Sequence, residues 1–179
     1  HADAVVVGEG EEIWPRLLTD FLGDDLKDFY RQDQPVNFAE VPPPAYSLIK
    51  ETGYMVKNAL QLVRGCPQGA KCDFGIVPRL VGHQYRVVPV ERAVEQISEL
   101  KESTGENGVN LAACCALNHK EYMKELMEAI KPLGINWCGG ALLDRINDDD
   151  YIKLMAESNC RLVYTETEVV APGKDRKKF

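Results

Sequence analysis

The sequence predicts an α/β protein: about four parallel strands curled towards a partial barrel, preceded by one separate strand–helix unit. Three observations carry that expectation. From Ala59 onward, short apolar runs alternate with amphipathic segments of helical spacing, the pattern of βαβ units and a parallel sheet. Near the N-terminus, an apolar run, a glycine turn and a helical pattern stand apart from that series. Between the two lies Val41-Pro42-Pro43-Pro44-Ala45-Tyr46, a stiff connector because proline fixes φ and favours extended neighbours. The expected boundaries are 1–40 for the N-terminal unit, 41–58 for the linker and 59–179 for the partial barrel.

Ala2–Val7 is apolar and is closed by Gly8-Glu9-Gly10, which reads as a buried strand and its turn. Over Glu11–Leu22, Ile13, Trp14, Leu17, Leu18 and Phe21 recur at helical spacing, and Gly23 marks the stop. This unit has no evident sheet of its own, because Asp24–Glu40 is polar and weakly patterned. The first barrel strand is expected at Leu60–Val63, followed by a helix at Val90–Lys101 with Val90, Ala93, Val94 and Ile97 inward. Strand Val109–Ala113 leads to a helix at His119–Lys131, with Met123, Leu126, Met127 and Ile130 inward. Strand Ile135–Gly139 leads to a helix at Asp148–Ser158, with Ile152, Met155 and Ala156 inward, and a fourth strand is Arg161–Thr165. Right-handed crossovers curl such a sheet, but four strands do not close a barrel.

A length of 179 residues suffices for a sizeable core. The net charge of −7 argues against general binding to nucleic acid, and Lys174, Arg176, Lys177 and Lys178 read as a solvated tail. No apolar run approaches the ~18 residues that span a bilayer, so no transmembrane segment is expected. The six cysteines are spread along the chain, which reads as reduced thiols of a cytoplasmic protein.

Chemistry is expected where a strand empties into a Gly/Cys loop. Arg64-Gly65 is followed there by Cys66 and Cys72. Neighbouring strand ends converge in a parallel sheet, so Cys114 or Cys115 could join Cys66 and Cys72 around a metal. The plain alternative is that these thiols pack as small hydrophobes, and Cys138 and Cys160 read so. His83 and His119 have no metal-site spacing; His119 belongs to a helix start. Asp148-Asp149-Asp150 caps a helix and complements its dipole, with magnesium binding the weaker reading.

The ordered motifs resemble radical S-adenosylmethionine proteins of the class that carries an N-terminal cobalamin-binding domain. ADAVVVGEGEEIWPRLL (Ala2–Leu18) looks like the last strand, loop and helix of that domain, and VPPPAYSLI (Val41–Ile49) like the linker after it. QLVRGCPQGAKCDFGIVPRLVGHQYRVVPVERAVEQISEL (Gln61–Leu100) looks like the first βα unit of the barrel, and Lys120–Glu168 like its second to fourth units. The resemblance implies a partial (β/α)6 barrel after a remnant of the cobalamin-binding domain. It further implies that small residues at Gly139 and Gly140 leave room for a cofactor, and that Glu166 matches a family glutamate.

The departures concern chemistry. The family holds a [4Fe–4S] cluster on three thiolates, with three and then two residues between them. Here Cys66 and Cys72 are separated by five residues, and the third position is Gly75. Where the family has Asp-Asp-Asn, this chain has Ala112-Ala113-Cys114. The favoured expectation is therefore a degenerate core that has lost cluster-dependent catalysis and needs no cofactor. It would serve as a structural or accessory subunit, docked to a protein partner or to its own copies. One alternative is an active enzyme with an iron–sulfur cluster on Cys66, Cys72 and Cys114 or Cys115, cleaving S-adenosylmethionine. Another is a nucleoside or tetrapyrrole binding module.

Overall fold

Strand pairing in the computed structural model is parallel except in one short ribbon; residues 2–49, 58–65, 84–113 and 115–165 are described. The chain divides into two units: His1–Pro44 with Val63–Pro89, and Ala45–Leu62 with Val90–Phe179.

In the first unit, β1 (Val5–Val7) leads through Gly8-Glu9-Gly10 into α1 (Ile13–Leu22). The N-terminal strand does have a partner: β2 (Phe29–Arg31) lies parallel to it, Val6 opposite Tyr30. Tyr30 is buried, and its hydroxyl donates to Asp20 of α1 at 2.9 Å. The apolar face expected for α1 is split. Ile13 is buried, whereas Trp14, Leu18 and Phe21 are exposed. Within the same unit, β4 (Val63–Arg64) pairs antiparallel with β5 (Arg86–Val87).

The second unit is a four-stranded parallel sheet in the order β3 (Ala59–Leu60), β6 (Gly108–Leu111), β7 (Asn136–Ala141), β8 (Cys160–Thr165). The helices are α2 (Val90–Thr104), α3 (Lys120–Ile130) and α4 (Asp149–Glu157). Each later strand adds beside the one before it. Right-handed crossovers in that order place every helix on the same side of the sheet, an architecture compatible with a partial barrel. Burial agrees: Leu60, Val109, Leu111 and Trp137 are almost fully enclosed on one face, with Ala93, Ile97, Met123, Leu126 and Met127 of the helices. No helix among the described residues is long and apolar enough to cross a membrane.

Helix starts follow the sequence signals. His119 Nδ1 accepts from the Tyr122 N–H at 3.2 Å, and Asp148 accepts from the Tyr151 N–H at 3.1 Å. The indole N–H of Trp137 donates to the Ser158 carbonyl at 2.9 Å, tying β7 to the end of α4.

Three expectations are corrected. The run Leu60–Val63 is not one strand: Ala59–Leu60 joins the parallel sheet, and Val63–Arg64 leaves it for the ribbon. The third strand does not stop at Gly139: β7 runs on to Ala141, with Gly139 and Gly140 inside it. The inner face of α4 is rotated, with Tyr151 and Met155 buried and Ile152 and Ala156 exposed. Tyr151 wins the inward place because its ring fills the core while its hydroxyl reaches the Leu117 carbonyl at 2.9 Å.

The rotated face sets a ranking. Tyr151→Ala should cost about 3–5 kcal/mol by loss of a buried ring, and Ile152→Ala should stay within about 0.5 kcal/mol. Urea unfolding followed by Trp137 fluorescence measures both; the opposite ranking would restore the face read from spacing.

Candidate functional site

The best-defined cluster of charge lies in the first unit, around Glu9. Gly8 has φ +98°, and a side chain there would press on the Gln32 carbonyl at 2.9 Å. The glycine lets the chain leave β1 sharply, and Glu9 ends up 7% exposed. Its Oε1 accepts from Arg64 Nη1 at 2.9 Å and from Arg86 Nη2 at 2.7 Å. Its Oε2 accepts from Arg86 Nη1 at 3.0 Å and from the Val36 N–H at 2.8 Å. Arg64 also pairs with Glu11 at 2.8 Å and lies over the Phe38 ring, 4.5 Å from its centroid. Arg86 donates a further bond to the Val36 carbonyl at 2.9 Å.

Burial alone would push the Glu9 carboxyl up. The bonds from Arg86, the Val36 N–H and Arg64 outweigh it and hold the group below the ordinary carboxylate range. Burial likewise opposes the charge on Arg64, and Glu11 and Glu9 more than restore it.

The second region is the face of the parallel sheet that, among the described residues, carries no helix. Asn110, Cys138 and Gly140 share that face with Leu162 and Tyr164, by the alternation of strands in register. The Cys138 thiol donates to Asn110 Oδ1 at 3.4 Å, and Leu162 is 59% exposed. Tyr164 stands opposite Gly140 and donates its hydroxyl across β7 to the Leu111 carbonyl at 2.8 Å. Gly140 has no side chain to obstruct that reach. Gly139 points to the other face, where an added Cβ would make ordinary contacts with Leu111 and Ala116. Beyond β6, the chain carries Ala112 and Ala113 into the turn that holds Cys115.

Of the residues named from the sequence, Cys66, Cys72, Cys114 and Glu166 lie outside the described residues. Cys115, Cys138 and Cys160 form no disulfide. Burial pushes the Cys138 thiol up and, with its neighbour Cys138, takes Cys160 to about 11, so both are protonated at neutral pH. Among the described residues, no group of three or more His, Cys, Asp or Glu comes together as a metal site. The sequence reading of Gly8-Glu9-Gly10 as a turn holds for the backbone and misses the carboxylate. Glu9 and its arginine partners are 55 and 77 residues apart. The available signal was a glutamate held between two glycines and two arginines flanking the cysteine segment.

Together these features define an α/β protein with a parallel, one-side-covered sheet and a buried carboxylate–arginine cluster. No protein-family model matches it. Over 183 residues, 95% of this chain and 40% of the other, it is 26% identical to the bacteriochlorophyllide d C-8(2)-methyltransferase of Chlorobaculum tepidum. The chain thus spans about two-fifths of the length of that relative. At this identity the match gives weak support to the radical S-adenosylmethionine relation that the motifs imply.

The folded pKa of Glu9 lies below its unfolded value. Its stabilisation is therefore complete above the unfolded value and is lost as pH falls through the folded one. Glu9→Gln should cost about 3–5 kcal/mol at neutral pH, because two half-buried arginines lose the anion they share, while Arg64 keeps Glu11. It should also flatten the acid limb of stability below about pH 4. Urea unfolding against pH checks both; an unchanged acid limb would assign it to other carboxylates.

Proposed function

We propose that this chain is a degenerate radical S-adenosylmethionine core that has lost cluster-dependent catalysis and serves as a structural or accessory part of a protein assembly. One observation carries the reading: Gly75 stands where the third thiolate belongs, and thiolate count decides whether a cluster is held. Ala112 and Ala113 follow β6 with methyl groups, and Cys138 lies within β7 and Cys160 at the start of β8, not at the C-terminal strand ends. The residues present thus fit a cluster poorly, and no chemical step is assigned to one.

A place in an assembly is supported by the surfaces left open. Among the described residues the sheet has helices on one side, Leu162 and Tyr164 stand exposed on the other, and β8 is an edge strand. Parallel sheets ordinarily have both faces covered, and open edges invite pairing.

Iron and sulfide analysis after anaerobic reconstitution tests the reading. The expected protein is colourless and does not cleave S-adenosylmethionine. Iron near ~4 per chain with a cluster absorbance would overturn it in favour of an enzyme using Cys66, Cys72 and Cys114 or Cys115. A raised melting temperature with S-adenosylmethionine or cobalamin, without iron, would indicate a binding module instead.

A further inference from the structure

We infer that the outer face of α1 is a docking surface for a basic amphipathic helix of a partner protein. Trp14, Leu18, Phe21 and Leu22 recur at the i, i+4, i+7, i+8 spacing of one helix side, and all four are exposed. The apolar arc of α1 is thus wider than its own unit uses: Ile13 is buried and Leu17 half-buried at one edge, and the rest faces outward. Single exposed apolar residues are ordinary, but a contiguous stripe of large ones marks an interaction site.

Charge says what covers the stripe. The first 44 residues hold ten acidic and three basic side chains, and the remainder holds eighteen of each, so the whole net charge of −7 belongs to this stretch. Exposed carboxylates stand at both ends of the stripe: Glu12 precedes α1, and Asp24 and Asp25 follow it. At the C-terminal end Lys27 is shared between Asp20 and Asp25, at 3.6 and 3.8 Å, and the last turn of α1 has no basic residue. The carbonyl end of a helix favours cations, so acid is set here against the dipole. A second copy of the chain does not fit. Whether two α1 helices pair parallel or antiparallel, carboxylates meet carboxylates at both ends. An anionic membrane is repelled for the same reason. A partner helix with an apolar stripe and lysine or arginine at its ends satisfies both the apolar face and the charge. The surface gives the assembly reading a partner class and rests on that reading only for the partner being a protein. Iron content tests the loss of catalysis and leaves this surface untouched.

The probe is a synthetic helix of about 18 residues, past the length at which isolated helices are marginal, with leucines along one face and lysines at both ends. Its control carries glutamates in place of the lysines. Binding to the full chain with Trp137→Phe is followed by the blue shift of Trp14 emission. The lysine peptide should bind at least about tenfold more tightly than the glutamate peptide, and the gap should close as salt rises. Phe21→Ser should weaken its binding by at least about tenfold, and Asp24→Lys with Asp25→Lys should reverse the preference between peptides. Leu162→Ser, in the other unit, should change nothing. Equal affinity for the two peptides, no binding of either, or a preference that survives the charge reversal overturns the inference. So does parent-like binding by Phe21→Ser. If that variant unfolds its unit, Leu22→Ser decides, because Leu22 is 85% exposed and its loss leaves the fold intact. Self-association that Phe21→Ser abolishes overturns the inference in favour of a second copy, and tighter binding to phosphatidylcholine vesicles than to the lysine peptide overturns it in favour of a membrane.

Discussion

A single carboxylate organises the N-terminal unit. Glu9 ties its own stretch of chain to three others, those of Val36, Arg64 and Arg86, through bonds of 2.7–3.0 Å in a largely water-excluded place. A buried ion is costly unless it is paired and hydrogen-bonded. Here each oxygen of Glu9 has two donors, and Glu11 accompanies Arg64. The interaction works in one direction only: removing the anion leaves two cations facing each other on a two-rung ribbon. That ribbon joins the strands on either side of the sequence segment that holds Cys66 and Cys72.

The parallel sheet obeys a different constraint. Its strands follow one another in space as they do in sequence. With right-handed connections, all the helices must lie on one side. Large apolar residues therefore collect on that side, with Trp137 and Leu126 enclosed. The other side keeps the small and polar set of Asn110, Cys138, Gly140 and Tyr164. Such a surface suits either the inside of a larger barrel or a contact with another protein.

Most of the helices and strands of the sheet were legible because their periodicity is strong. The inward residues of α3 came directly from spacing, since Met123, Leu126, Met127 and Ile130 are all buried. In α4 the spacing misled, because tyrosine can be buried when its hydroxyl finds a carbonyl, as Tyr151 does at Leu117. Strand β2 was missed because three residues with one buried side chain give no alternation to count. The third strand was expected to stop at Gly139, since glycine's usual role hides the case where it sits inside a strand and clears a path for a ring from the next one, as Gly140 does for Tyr164. The Glu9 cluster was the least legible feature. Ion pairs between residues 55 and 77 positions apart leave no local pattern. Cys66, Cys72, Cys114 and Glu166 keep the roles the motifs imply for them only as proposals.

A double-mutant cycle between Glu9 and Arg86 tests most directly whether this buried pair holds the N-terminal unit. Glu9→Gln, Arg86→Met and the double variant would be unfolded in urea in a Trp137→Phe background, so that Trp14 reports on its own unit. The predicted result is a coupling above about 1 kcal/mol, as for residues that share one buried network. Additivity within about 0.3–0.5 kcal/mol would contradict it, and would mean that the ribbon is held by its backbone and by packing around Phe38 rather than by the carboxylate.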